Sequence, residues 1–290
     1  MKVLVLGATG YIGSAVVSRL TLEGHDVVPL VKDASALGAD VPVRVGDLTD
    51  PDSLRAAVTQ DVDAVVNLAT PTGDEAVDTA ALDALTGPLR GTGRAFVYTS
   101  GVWVLGATGD AVADEESATD PIGIVGYRPR IEQRVLAAAG DGVRAVVIRP
   151  GIVYGRGGGI PALMTGWARE HGTGRYVGPV ATRWPMVHVD DLAELYALAL
   201  TKAEEGTVLH GVAHESVPVA AVAAAADVAA GGAGRAEPWP EARAAEVLGA
   251  PFAEALALDQ VVSGRRAVDE LGWRPSRPYV LAELSGGVRG

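Results

Sequence analysis

The sequence contains no cysteine and only 5% aromatic residues, and these absences restrict the kinds of protein it can encode. Without cysteine, disulfide bonds and thiolate metal sites are excluded, which is typical of a reducing compartment. His210 and His214 are four residues apart, but TVLHGVAH is typical of a strand and a turn, so no metal site is expected. The apolar start MKVLVLG is interrupted by glycine too early for a membrane span or a signal peptide. We therefore expect a cytoplasmic protein that does not associate with membranes.

Positive charge is also scarce, because 24 lysines and arginines face 36 aspartates and glutamates, for a net charge of −12. A negative surface repels a phosphate backbone, so nucleic acid is not an expected partner. The 290 residues are 48% hydrophobic, which is enough for a full core. We expect either one large domain or a domain with a smaller lobe, a small-molecule substrate and, as an option, a homodimer.

The first 20 residues have the pattern of a strand, a glycine turn and a helix. The apolar run KVLVL is followed by glycines at positions 7, 10 and 13 and then by an apolar helical periodicity. This spacing lets the backbone approach a pyrophosphate, whose charge then lies at the N-terminus of the helix. The pattern predicts a dinucleotide-binding site.

The end of the second strand, HDVVPLV, indicates which dinucleotide binds. An NAD site offers a carboxylate to the ribose 2′-hydroxyl at this point, whereas this chain has Val31 followed by Lys32. A cation without a carboxylate favours a 2′-phosphate, and therefore NADP(H). The neighbouring Asp33 leaves open that Lys32 is a solvated loop cation.

Three further alternations of strand and helix predict an α/β fold with a doubly wound parallel sheet. They cover residues 41–58, 63–90 and 94 onwards. Ligands bind at the carboxyl ends of the strands in such a sheet. The residues expected at these ends are Asp47, Asn67, Ala69, Thr99 and Ser100.

The chain as a whole resembles the extended and atypical short-chain dehydrogenase/reductases, the NAD(P)-dependent epimerase/dehydratase superfamily. The resemblance spans nearly the whole chain and rests on GATGYIG (7–13), GDLTD (46–50), FVYTSGVWVLG (96–106), VIRPGIVYGRGGG (147–159), MVHVDDLAELYALAL (186–200) and GRRAVDELGWRP (264–275). It implies a Rossmann domain over residues 1–153, completed by 186–203. Residues 154–185 and 204–290 are then expected to form a smaller substrate-binding lobe.

The resemblance also implies which residues bind the cofactor. They are Gly7, Thr9, Gly10, Tyr11, Ile12 and Gly13 at the pyrophosphate, Asp47 and Leu48 at the adenine, and Pro150 beside the nicotinamide, together with Lys32, Asn67, Ala69, Thr99 and Arg130.

The catalytic pattern of the family is altered in this chain. The family uses a Ser or Thr that polarises the carbonyl, a Tyr that moves the proton, and a Lys four residues later that lowers the pKa of the Tyr and holds the ribose. Alignment places Gly101, Gly126 and Arg130 at these three positions. The neighbouring hydroxyl residues Ser100 and Tyr127 are therefore the candidate catalytic residues, together with Arg130.

A shift of one residue rotates a helical side chain by about 100°. Tyr127 therefore reaches the nicotinamide only if its helix begins irregularly, which Gly126 and Pro129 permit. Arg130 can bond the ribose but stays a fixed cation and does not transfer a proton. The alternative is that Tyr127 packs at the helix start.

Aromatic side chains in the segments of the lobe favour an apolar or ring-shaped substrate over a sugar nucleotide. The candidate contacts are Trp103, Tyr154, Trp167 and Trp184, although core packing explains each one equally well. Two functions follow. One is an NADPH-dependent oxidoreductase acting on a small ketone or enone. The other is an NADP(H)-binding protein without redox turnover, either a redox-sensing regulator or a non-redox isomerase or cyclase.

Overall fold

The computed structural model describes residues 1–36 and 42–286, which form two compact units. The first unit consists of Met1–Ser100, Tyr127–Arg149 and Ala193–Leu209, and the second of Gly101–Gly126, Pro150–Leu192 and the chain from His210 onward. The predicted domains differ from these units at residues 101–126, 150–153 and 186–192, which lie in the second unit, and at residues 204–209, which lie in the first. For the first of these segments the reason is a long-range contact: the Gln260 side-chain amide donates to the carbonyls of Val102 and Gly106, each at 2.8 Å.

The secondary structure consists of strands and helices that alternate through the first half of the chain. The strands are β1 Lys2–Leu6, β2 Asp26–Val31, β3 Arg44–Val45, β4 Ala64–Asn67, β5 Ala95–Thr99, β6 Arg144–Pro150, β7 Ile152–Gly155, β8 Gly174–Val177, β9 Arg183–His188, β10 Thr207–Gly211, β11 His214–Pro218 and β12 Ala236–Trp239. The helices are α1 Tyr11–Leu22, α2 Pro51–Ala57, α3 Glu75–Thr86, α4 Arg128–Ala137, α5 Gly159–His171, α6 Val189–Lys202, α7 Val219–Ala229, α8 Glu241–Leu248, α9 Ala250–Ala257, α10 Arg265–Leu271 and α11 Val280–Gly286.

The first unit is built on a seven-stranded sheet with the order β3-β2-β1-β4-β5-β6-β10. The pairings from β3 to β6 are all parallel. The strand order reverses between β1 and β4, and such a reversal opens a crevice at the carboxyl ends of the two strands. The predicted doubly wound sheet is therefore confirmed, and the crevice lies next to the glycine turn that follows β1.

The core of the first unit lies between the sheet and its helices. Val65 and Phe96 of the sheet are fully buried in one cluster with Leu54 of α2, Leu85 of α3 and Val135 of α4. The central strands are continuous apolar runs because both faces of a parallel sheet are covered. Each large apolar side chain buried in this way stabilises the fold by about 1.5–3 kcal/mol.

Helix α4 begins just after Tyr127 and is held by a buried ion pair. Tyr127 is its N-cap and Pro129 lies in its first turn, while Gly126 has ordinary helical angles. The Arg149 guanidinium at the end of β6 donates to the Glu132 carboxylate from Nε at 3.0 Å and from Nη2 at 2.6 Å. Both side chains are less than a tenth exposed, at 6% and 3%. This pair fixes α4 against the last residues of β6.

The second unit contains two small sheets and most of the aromatic residues. One sheet has the order β11-β9-β7 and the other pairs β12 with β8. Its main core cluster includes Tyr154, Met164, Tyr176, Trp184 and Trp239.

Two further findings concern the described ranges of the chain. Within residues 1–36 and 42–286, no helix is long and apolar enough to cross a membrane. The same residues contain no cluster of three or more His, Asp or Glu side chains arranged to hold a metal ion. The cytoplasmic location and the homodimer stay predictions.

The buried ion pair predicts a large loss of stability when one partner is removed. Glu132→Ala leaves the Arg149 charge buried without its carboxylate, which we expect to lower the free energy of unfolding by about 3–5 kcal/mol. Urea denaturation of the cofactor-free protein measures this loss. The control is Arg134→Met, because Arg134 pairs with Asp83 at the exposed surface of the same helix and such pairs contribute less than about 1 kcal/mol. Equal losses in the two variants would contradict this role for Glu132.

Candidate cofactor and active site

The glycine turn after β1 brings three backbone segments into close approach. Gly7 has a φ of +73°, and a Cβ added to it would lie 2.5 Å from the Leu68 carbonyl oxygen that follows β4. A Cβ added to Gly13 would lie 1.9 Å from the Gly7 carbonyl oxygen, and one at Gly10 would lie 3.2 Å from the same atom. A side chain at position 7 or 13 would therefore push apart the strands or the helix that enclose the crevice.

Helix α1 begins directly at this turn. Gly10 is the N-cap and provides no side-chain hydrogen bond to the first turn. The first amides of a helix have no carbonyl partner within it and carry partial positive charge. This arrangement fits a pyrophosphate, so the residues present suit the dinucleotide that the sequence predicts.

A cavity of about 580 Å³ lies in the first unit beside the glycine turn. Its lining comes from the ends of β1, β2 and β4 and from the turn after β3: Leu6, Gly7, Thr9, Leu30, Val31, Lys32, Asp33, Gly46, Leu48, Ala69, Thr70 and Thr72. Five predicted cofactor residues, Gly7, Thr9, Lys32, Leu48 and Ala69, are therefore brought together on one cavity wall. The volume and the mainly apolar lining suit the adenosine portion of a dinucleotide.

Lys32 and Asp33, at the end of β2, both line the cavity, and each has a polar partner. The Asp33 carboxylate accepts a hydrogen bond from the backbone N–H of Ser35, in the same turn, at 2.9 Å. This hydrogen bond lowers the pKa of Asp33. Lys32 is 74% exposed, and its Nζ lies 3.2 Å from Oδ2 of Asp47. Asp47 itself accepts the amide and hydroxyl of Thr49, both at 2.9 Å. Asp47 is therefore placed to orient Lys32 and is not part of the cavity lining.

Three polar residues lie at the ends of β4 and β5, and within the described ranges only two of them have hydrogen-bond partners for their side chains. Asn67 Oδ1 accepts the amide of Ala69 at 3.1 Å, and Thr99 Oγ1 lies 2.7 Å from the Tyr196 hydroxyl. Ser100 is 7% exposed, and its Oγ has no partner among the described residues. A buried hydroxyl without a partner costs free energy, so Ser100 is a candidate for a ligand contact.

The Tyr127 hydroxyl already has two hydrogen-bond partners. Its O–H donates to Asp78 Oδ2 at 2.5 Å and accepts the backbone N–H of Gly73 at 3.2 Å. Burial, and then the hydrogen bond to the Asp78 carboxylate, raise the pKa of Tyr127 to about 12. Both effects oppose release of the proton, which is the reverse of what a general acid near neutral pH requires. The geometry therefore argues against the predicted role of Tyr127 as proton donor.

Arg130 is paired with a carboxylate of α3. Its Nε and Nη2 donate to the two oxygens of Glu75 at 2.6 and 2.5 Å, and its side chain is 61% exposed. This bidentate pair uses two of the five N–H donors of the guanidinium. The predicted contact with the ribose stays a prediction.

Gly101 and Gly126, at the positions of the family serine and tyrosine, are not required by the backbone. Gly101 has an extended φ of 178°, and a Cβ added to it would meet nothing within 4 Å. Gly126 has helical angles of −54° and −37°, and its nearest contact for an added Cβ is 3.4 Å. The backbone would therefore accept a Cβ at both positions.

The residues predicted to contact the substrate lie in the second unit, and two of them are core residues. Tyr154 is 1% and Trp184 2% exposed, because both pack inside the aromatic cluster. Trp167 packs edge to face on Trp239 with ring centroids 5.6 Å apart. Trp103, in the turn just after Gly101, and Trp167 are both half-buried, so these two predicted contacts have partly accessible rings.

Pro150 and three residues of the glycine turn complete the predicted set. Pro150 is the buried last residue of β6. Tyr11, Ile12 and Gly13 form the first turn of α1.

Sequence reasoning missed Asp78 and Gly73, which hold the Tyr127 hydroxyl. They are separated from Tyr127 by 49 and 54 residues. An aspartate in the first turn of a helix is ordinarily interpreted as a favourable interaction with the helix dipole. No local pattern in the sequence connects it to a tyrosine at the start of another helix.

The sheet order, the glycine turn and the cavity define a dinucleotide-binding protein of the Rossmann type. The family model described as NAD dependent epimerase/dehydratase family matches residues 3–211. The chain belongs to this family, which confirms the resemblance noted in the sequence.

Individual relatives cover almost the whole chain. An uncharacterized protein of Schizosaccharomyces pombe is 32% identical over 98% of this chain and 98% of its own. The 3-diazoavenalumate denitrifying reductase of a Streptomyces species is 30% identical over 96% of this chain and 97% of its own. The crystal structure of human epimerase family protein SDR39U1 with NADPH superposes with a TM-score of 0.77 at 28% identity, covering 100% of both chains.

The close approach at Gly13 predicts that a single methyl group disrupts the cofactor site. Gly13→Ala places a Cβ against the Gly7 carbonyl, so α1 must move; overpacking of this kind costs about 1–3 kcal/mol. We expect dinucleotide affinity to fall by at least about tenfold, measured by calorimetric titration. Gly140→Ala is the control, since an added Cβ there meets nothing within 4 Å. Unchanged affinity in Gly13→Ala would show that the cradle tolerates the displacement.

Proposed function

We propose that the protein is an NADP(H)-dependent reductase of a small, apolar or cyclic carbonyl compound such as a ketone or enone. The observation that carries the proposal is the cavity beside Gly7, with the Lys32 cation on its wall and one oxygen of the neighbouring Asp33 carboxylate engaged by the Ser35 amide. The Lys32 ammonium would pair with a 2′-phosphate. The relative named as a denitrifying reductase and the human relative solved with NADPH support the same conclusion.

In this reaction the chain would bind the cofactor and polarise the carbonyl group of the substrate. The glycine turn and the start of α1 would hold the pyrophosphate, and Lys32 the 2′-phosphate. Bound NADPH supplies the hydride. The buried Ser100 hydroxyl, which has no partner in the described part of the chain, would donate a hydrogen bond to the carbonyl oxygen as negative charge develops there. Water would deliver the final proton, because the Tyr127 hydroxyl is committed to Asp78.

The substrate class follows from the missing side chains. Gly101 has open space where the family has a serine, Gly126 replaces the family tyrosine, and the half-buried ring of Trp103 lies two residues after Gly101. An apolar ring can use space of this kind and stack on an indole.

A second candidate is an NADP(H)-binding protein without redox turnover, either a redox-sensing regulator or a non-redox isomerase or cyclase. The observation that favours it is the loss of both family hydroxyls at positions where the backbone would accept them. Tight NADPH binding without oxidation across a panel of cyclic ketones and enones would favour this candidate over the reductase.

Cofactor choice is tested through Lys32. A charge-assisted contact contributes about 1.5–3 kcal/mol, and exposure of Lys32 places its effect at the lower end. We expect NADPH to bind about tenfold more tightly than NADH, and Lys32→Ala to remove most of that preference. Calorimetric titration of both cofactors measures it, with Lys202→Ala as the control at the end of α6. Equal affinities in the wild type, or a preference that survives in Lys32→Ala, would exclude this role for Lys32.

The role of Ser100 is tested by turnover. Loss of one donor to a developing oxyanion lowers kcat by about 10²–10³-fold. We therefore expect Ser100→Ala to reduce NADPH oxidation with a cyclic ketone by this factor while the Kd for NADPH stays unchanged. Thr173→Val is the matched control, because the Thr173 hydroxyl is also buried and unpartnered within the described residues but lies in the second unit. Normal turnover in Ser100→Ala would assign the carbonyl contact elsewhere.

A further inference from the structure

The segment after β4 contributes one wall of the cofactor cavity and has little packing of its own. Ala69, Thr70 and Thr72 line the cavity. Gly73 follows with a φ of +89°, and a Cβ added to it would meet nothing within 4 Å. A segment that ends in such a glycine is not fixed by side-chain packing, so hydrogen bonds must determine its conformation.

Those hydrogen bonds converge on the Asp78 carboxylate, in the first turn of α3. Its Oδ1 accepts the amide of Thr72 at 3.0 Å and the Thr72 hydroxyl at 2.8 Å. Its Oδ2 accepts the Tyr127 hydroxyl at 2.5 Å, and that hydroxyl in turn accepts the Gly73 amide at 3.2 Å. Thr72, Gly73, Asp78 and Tyr127 therefore form one connected set, called here the Asp78 network.

We propose that Tyr127 is a positioning residue for cofactor binding, acting through the Asp78 network to fix the 70–73 wall of the nucleotide cavity. This inference rests on the proposed function, since it concerns the same cofactor. A preformed wall spares the cofactor the entropic cost of ordering residues 70–73 on binding. Because Tyr127 lies at the start of α4, its hydroxyl contacts both Asp78 of α3 and Gly73 of the segment after β4.

The Asp78 network connects the 70–73 segment to helix α4. The Arg149–Glu132 pair fixes α4 on the sheet, and Tyr127 at its N-cap then holds the 70–73 segment relative to that helix. Thr72 and Tyr127 both donate hydrogen bonds to the Asp78 carboxylate. The position of the cavity wall therefore depends on both residues. The contributions of Tyr127 and Asp78 to cofactor affinity are therefore expected to be coupled.

The first test is Tyr127→Phe, which removes the hydroxyl and keeps the ring. We expect the Kd for NADPH to rise about three- to tenfold, with kcat at saturating NADPH changed by less than about threefold. In the cofactor-free protein, we expect amide hydrogen exchange at Thr72 and Gly73 to be at least about threefold faster. The control is Arg134→Met, which removes a different contact between α3 and α4 and should change neither quantity.

The second test is a double-mutant cycle with Asp78→Ala. The double variant should lose no more NADPH affinity than the more affected single variant, because either change breaks the same network. Asp78→Asn, which retains an acceptor for Thr72, should lose less affinity than Asp78→Ala. Thermal unfolding of each variant distinguishes a loosened wall from a global loss of stability.

The possible failures are distinguishable. An unchanged Kd and unchanged exchange in Tyr127→Phe would overturn the positioning role while leaving NADPH binding by the wild type intact. A fall in kcat of about a hundredfold or more with an unchanged Kd would identify Tyr127 as the proton donor instead. Absence of NADPH binding by the wild type would overturn the proposed function, whereas the exchange measurement on the cofactor-free protein would still report on the network.

Discussion

The contact between the start of α1 and the turn after β1 is the constraint on which the cofactor site depends. The backbone of Gly13 lies so close to the Gly7 carbonyl that no side chain fits between them. This contact places the N-terminus of α1 at the carboxyl ends of β1 and β4, where the strand order reverses. The positive end of the helix and the cavity are therefore produced by the same backbone arrangement.

A second constraint places α4, which carries the altered catalytic segment. The buried Arg149–Glu132 pair fixes that helix on the sheet, and Pro129 lies in its first turn. The hydroxyl of Tyr127, the N-cap residue, is hydrogen-bonded to Asp78 and Gly73.

The combination of a retained cofactor cradle with missing family side chains is the main chemical feature of the protein. The glycines at 7 and 13 are required by close approach, whereas those at 101 and 126 lie where the backbone would accept a Cβ. The proposed reduction of a small carbonyl compound depends on the cofactor cradle and on the absence of these two side chains.

The sequence by itself determined the parallel sheet, the glycine turn, the strand-end residues and the family, because each depends on local spacing and periodicity. It also located Lys32 and Leu48, which the structure places on the cavity wall with Gly7, Thr9 and Ala69. Only the tertiary structure decided the direction of the Tyr127 hydroxyl, the pairing of Arg130 with Glu75, the burial of Tyr154 and Trp184, and the unpartnered Ser100. These properties depend on the packing of residues tens of positions apart in the sequence, which local spacing and periodicity do not report.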